Sequence, residues 1–126
     1  MRPDRKQVST LYKGTVSYFE ELTSSKWSWN SGEKPRILQG YIIFCEAAGV
    51  RDKDRIPEMM DLFLKIMEKR SKKWIQWSEA SRVNYLGFLL RREDLKVEGS
   101  KMNTDNKADA KDLEIAGTKT SDEWEF

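Results

Sequence analysis

Between residues 65 and 92, basic side chains are interleaved with indole rings. Lys65, Lys69, Arg70, Lys72 and Lys73 lead into Trp74 and Trp77, and Arg82, Arg91 and Arg92 follow. Cations bind phosphate oxygens and displace condensed counterions, while flat rings stack on bases, so this mixture suits a phosphate backbone carrying stackable bases. Helical spacing supplies a competing account. Asp61 lies four residues before Lys65 and Glu68 four before Lys72, the polarity that stabilises a helix through its own side chains. With those pairs set aside, Lys69, Arg70 and Lys73 remain, joined by Arg82, Arg91 and Arg92 if the fold brings them near. Such a set reaches about four phosphates, with a log–log salt slope of roughly −3 to −4, which describes modest, non-specific binding.

Catalytic chemistry has fewer candidates. The chain has no histidine, and so lacks the commonest general base and metal ligand. Its one cysteine, Cys45, lies in the most apolar segment with no imidazole to activate it, which describes a packing thiol. One cysteine and no histidine put a four-ligand zinc site out of reach. Asp52-Lys53-Asp54 begins like a calcium loop, but the glycine and later ligands of that pattern are missing, and helix capping explains it better. No glycine-rich phosphate loop is present and no acidic pair stands out. The expectation is a non-enzymatic protein with no cofactor and no metal.

Charge is distributed unevenly. Residues 1–96 carry 19 Lys+Arg against 13 Asp+Glu, a net +6, whereas 97–126 carry 4 against 8, a net −4. Opposite charges on one chain attract each other, and each half attracts an outside partner of the other sign. The acidic part ends Ser121-Asp122-Glu123-Trp124-Glu125-Phe126. Over those six residues, acids around aromatics resemble in outline the tails of single-stranded-DNA-binding proteins, which dock on partner proteins and compete with nucleic acid. The body has none of the glycine-punctuated strands of that family, and the chain is not assigned to it.

The elements that must position these residues read as helices. Val8, Leu11, Tyr12, Thr15, Val16, Phe19 and Leu22 recur at spacings of three and four, one stripe of a helix over 5–23. Gly14 costs that helix about 1 kcal/mol relative to Ala. A polar loop over 24–34 holds Trp27 and Trp29, which either fold back as a lid or serve as a stacking platform or protein anchor. From Arg36 to Ala48 the chain is apolar on nearly every side, so a buried helix is expected there, with Gly49 as its stop and a strand over 41–45 as the competing reading. Asp52, Asp54 and Pro57 open a third helix that runs to Trp77 or breaks near Ser71. Ser78 reads as the N-cap of a last helix over 79–92, apolar on two faces, with Tyr85, Phe88 and Leu89 projecting from one of them. After Val97 the periodicity disappears.

The fold expected is therefore all-α: a compact four-helix bundle-like domain over 4–96, then a flexible acidic tail over 97–126. A body of about 95 residues holds one small core. Two interior helices are many for that size, which motivates a second copy of the chain covering some apolar surface. The longest apolar stretch, Ile37 to Val50, is interrupted by Gln39 and Glu46 and is too short to span a bilayer. A single cysteine and a polar N-terminus fit a reducing compartment, the cytoplasm (an infected host's included) or the nucleus.

Two functions follow. In the first, a nucleic-acid-associated protein holds phosphates through Lys69, Arg70, Lys72, Lys73, Arg82, Arg91 and Arg92, flanked by Trp74 and Trp77. Its tail screens that surface or recruits a protein. In the second, a small protein–protein adaptor or inhibitor of the phage or virus accessory type uses Trp27, Trp29, Tyr85, Phe88, Leu89, Trp124 and Phe126 as anchors.

Overall fold

A computed structural model describes residues 2–30 and 32–112, with side chains to Asn103. The order is α1 (Arg5–Thr23), α2 (Glu33–Ala48), a 3-10 turn (Lys53–Arg55), α3 (Ile56–Ile75), a second 3-10 turn (Glu79–Ser81), α4 (Tyr85–Leu89) and α5 (Arg92–Asp112). The described residues contain no strand, so the all-α expectation holds and 41–45 is helical.

Each boundary has a local cause. Asp4 accepts from the Gln7 backbone N–H at 2.8 Å, and the Gln7 side chain accepts from the Asp4 N–H at 2.9 Å, a reciprocal cap that starts α1. α1 buries Val8, Leu11, Tyr12, Thr15 and Val16, the stripe expected. α2 ends at Gly49, whose φ of 72° lets its N–H close on the Cys45 and Glu46 carbonyls. Asp52 caps the 3-10 turn, accepting from Asp54 N–H at 2.9 Å, and Pro57 enters in the first turn of α3.

α3 continues through Ser71, whose hydroxyl donates back to the Met67 carbonyl at 2.7 Å and pairs with the Tyr85 hydroxyl. The helix expected over 79–92 does not form as one unit. Residues 82–84 are extended because they clamp the end of α3: the Trp74 indole donates to the Val83 carbonyl at 2.8 Å, and the Arg82 guanidinium donates to the Trp77 and Ile75 carbonyls at 3.0 and 3.1 Å. Asn84 then caps a fresh turn, accepting from Gly87 N–H at 2.8 Å.

The boundary expected at 97 also moves, since α5 carries the helix from Arg92 to Asp112. It does so by lying alongside α2 in the most extensive helix pairing of the fold. Leu95 lies at Gly40, Gly99 at Phe44–Ala48 and Asn103 at Gly49, so the two helices run parallel. A Cβ at Gly99 would stand 2.4 Å from the Phe44 carbonyl oxygen, a close approach open only to glycine. Gly14 differs, since a Cβ there would meet only a Leu64 methyl, at 2.8 Å, at the end of a side chain that can shift. Leu11, Tyr41, Phe44, Met59, Phe63, Met67, Leu86, Leu89 and Leu95 fill the core between these helices. Trp124 and Phe126 lie outside the described residues.

Candidate functional site

The expected basic surface is largely divided into ion pairs. Lys69 Nζ lies 2.8 Å from Glu98 Oε2, Lys72 Nζ 3.6 Å from Glu68 Oε2, and Arg91 Nε 3.7 Å from Asp94 Oδ2. Arg70 is buried rather than presented to solvent. It binds Asp94 Oδ2 at 2.6 Å, donates to the Phe88 carbonyl at 2.8 Å and lies 4.3 Å above the Phe88 ring. The sequence missed this because Asp94 and Glu98 lie on α5, more than one helix away. Lys73 and Arg92 are exposed and make no ion pair among the described residues. A lysine already facing a carboxylate adds little to the field that attracts a polyanion.

The expected aromatic anchors also move inward. Tyr85, Phe88 and Leu89 do not project: all three are buried, because α4 is a plug of one and a half turns lying against α3. These side chains are covered within the chain. Trp77 packs edge-on against Phe88, with centroids 4.9 Å apart. Trp29 is the exposed indole among the described residues, at 55% of its surface, set edge-on to Tyr12. Trp27 folds back: its indole donates to Glu33 Oε1 at 2.9 Å and to the Tyr12 hydroxyl at 3.3 Å, and its backbone N–H donates to Glu20 at 2.9 Å. Tyr12 also donates to Glu33, fixing the loop across the middle of α1. Burial raises the Tyr12 hydroxyl above its ordinary pKa, so it stays a donor at neutral pH.

One feature collects residues from both sets. Trp27, Trp74, Arg82 and Tyr85, with Phe19 and Val83, line an open cleft of about 820 Å³ where the end of α1, the following loop, the end of α3 and the start of α4 meet. Its rings form a continuous cluster. Phe19 lies 5.0 Å from Trp27 and 5.1 Å from Tyr85, Trp74 lies 5.1 Å from Tyr85, and Trp27 lies 5.7 Å from Tyr85. Three of these contacts are edge-to-face, and the packing holds the rings in place, so their side chains lose little further freedom on binding.

At the base, the Tyr85 hydroxyl donates to the Thr15 carbonyl at 2.8 Å. Burial pushes its pKa well above the ordinary tyrosine value, with the Ser71 hydrogen bond partly opposing, so it is a fixed neutral donor. At the rim, the Arg82 guanidinium lies 5.0 Å over the Trp74 ring, Glu79 stands close by and Val83 is 54% exposed. Opposite charges and exposed apolar surface side by side suit a side chain with an apolar body, resting against the partly buried Phe19 and Trp27 rings.

The sequence pointed to Trp27, Trp74 and Arg82 one by one but not to their meeting. By periodicity Phe19 falls in the α1 core stripe, and Val83 in a helix that does not form.

No group of three or more metal-ligating side chains lies together among the described residues. Cys45 is buried beside Tyr41, and burial pushes its thiol up to about 11, so it is not a thiolate at neutral pH. No helix of the described residues is long and apolar enough to cross a membrane. Comparison with protein-family models, curated proteins and solved structures finds no match for this chain.

Proposed function

We propose that this chain is a non-enzymatic binding protein of the adaptor type, receiving an apolar or aromatic side chain of a protein partner in the Trp27–Trp74–Tyr85 cleft. The observation that carries this reading is the convergence of four rings from four separate elements around one open cleft, with Val83 exposed at its lip. Indole and phenol rings in a cleft of mixed polar and apolar lining, bordered by an arginine, are residue types that dominate binding energy at protein interfaces. The ion pairs favour this reading over phosphate binding. They engage Lys69, Lys72 and Arg91 with carboxylates and remove Arg70 from the surface.

The test uses a displayed library of short random peptides selected on the full chain, with the selected peptides titrated by NMR. The expected result is selection of peptides with an aromatic or branched apolar anchor, with shifts at the Trp27 and Trp74 indole N–H groups. Val83→Glu, an exposed substitution, should weaken that binding at least tenfold. If no peptide is enriched, or Val83→Glu leaves affinity unchanged, the cleft is not the binding site. Oligothymidylate and heparin are run in parallel at low salt. Tight binding of either, lost on Lys73→Glu with Arg92→Glu, would return the assignment to a polyanion surface.

A further inference from the structure

A second surface lies on the opposite edge of α3, away from the cleft. Leu62 and Ile66 of α3 and Met102 of α5, all partly buried, floor a groove of about 260 Å³. Lys65, Lys69 and Lys101 line its sides, and Glu98 is the acidic residue among them, bonded to Lys69. The groove thus carries three cations to one anion around an apolar floor, and Leu62, Ile66 and Met102 are left half-covered.

Residues 121–126 have the complementary chemistry. Asp122, Glu123 and Glu125 supply three negative charges, and Trp124 and Phe126 are two residues apart. In an extended segment that spacing places both rings on one side, with Glu123 and Glu125 on the other. Rings on a floor that includes a methionine, and carboxylates beside lysines, satisfy both halves of the segment at once.

Distance along α5 favours this groove over a second cationic cleft. That second cleft, of about 580 Å³, is lined by Arg2, Arg5 and Lys34 over Val8 and Leu38. α5 starts near it, since Arg92 lies with Pro35 and Arg36, and then runs away along α2. From Arg92 to Asp112 the helix covers about 30 Å, at ~1.5 Å per residue. Residues 113–123 span about 36–40 Å fully extended, so Trp124 returns there only with most of that length drawn out. Met102 is only about 15 Å of helix behind Asp112, half as far, and is reached without stretching the linker and losing its conformational freedom.

We infer that the groove between α3 and α5 is the docking site for residues 121–126 of the same chain, with Trp124 and Phe126 on Leu62, Ile66 and Met102. Lys65 and Lys101 pair with Glu123 and Glu125. This contact stands independently of the adaptor reading of the cleft.

The test uses the full chain at low micromolar concentration and low salt, with zero-length carbodiimide cross-linking and methyl NMR of Met102. The expected products are monomeric cross-links from Glu123 and Glu125 to Lys65, Lys69 or Lys101. The Met102 methyl resonance should be displaced by ring currents and move to its exposed position in a Trp124→Ala, Phe126→Ala variant. Both signals should be lost at about 1 M salt, where the screening length is about 3 Å. Lys65→Glu with Lys101→Glu should abolish them, and adding Glu123→Lys with Glu125→Lys should restore the Met102 displacement. A Met102 resonance indifferent to the aromatic substitutions would overturn the inference. So would cross-links that fall on Lys34 instead, or that appear only in dimers.

Discussion

Arg70 and Asp94 join α3 to α5 through a 2.6 Å ion pair in which the arginine side chain is 8% exposed and the aspartate 36%. Arg70 also holds the Phe88 carbonyl, so a single guanidinium ties together α3, α4 and α5. Removing the carboxylate leaves a buried cation with one carbonyl for company, and the penalty comes from that orphaned charge rather than from the lost attraction. Asp94→Ala should therefore lower unfolding free energy by about 2 kcal/mol, discounted for the aspartate's partial exposure. Arg70→Met should cost less than Asp94→Ala, since it removes the buried charge and leaves a carboxylate that water can reach. The exposed pair Arg55–Glu58, broken by Glu58→Ala, should barely change stability. Urea unfolding of the three variants gives the order.

At Gly99 the backbones of α2 and α5 approach closely, and any side chain there meets the Phe44 carbonyl and the Ala47 methyl. In an isolated helix Gly→Ala is stabilising, by about 1 kcal/mol. In this fold the sign should reverse, because the two helices must separate and Leu95 and Asn103 move with α5. Gly99→Ala should destabilise by about 1–3 kcal/mol, the usual cost of overpacking. A stabilised variant would mean that α5 does not lie against α2 as described. Circular dichroism melts read the sign directly.

Cys45 sets an alkaline limit. Burial lifts its thiol from 9.0 to about 11, and the buried Tyr41 and Tyr85 hydroxyls are raised for the same reason. A raised folded-state value means that the native state holds its proton more tightly than the unfolded chain. That contribution is complete below about pH 9 and is lost as pH rises towards 11. Stability from urea unfolding should therefore be level up to about pH 9 and fall above it. Cys45→Ala should make that decline shallower while lowering the plateau, through the cavity left by the sulfur. Consistent with burial, a thiol reagent at pH 8 should react with Cys45 only as fast as the protein opens.

Local structure was legible in the residues because it depends on neighbours within a turn. The α1 stripe, the all-round apolar α2 and the Gly49 stop all follow from periodicity and backbone freedom, and all three are found. The segment 78–92 satisfies helix periodicity, but its Val83 carbonyl serves another element. Trp74 and Arg82 take Val83, Trp77 and Ile75 as acceptors, and a regular helix would have used the first of these internally. α5 was cut short at 97 for the opposite reason. Its residues lack a stripe because Gly99, the smallest of them, makes a close contact with α2.

Composition and spacing alone determined that this chain is helical, that it has no imidazole or thiol pair for catalysis, and that its charge reverses near residue 97. Only tertiary structure decided which cations face solvent and which rings share a cleft. Ion pairs such as Lys69–Glu98 and Arg70–Asp94 form between residues 29 and 24 positions apart, and Tyr85 reaches Thr15 across 70. Such contacts depend on how helices cross, which no local pattern encodes. The same physics that made the helices predictable, hydrogen bonding within a turn, therefore carries no information about which of their side chains would meet.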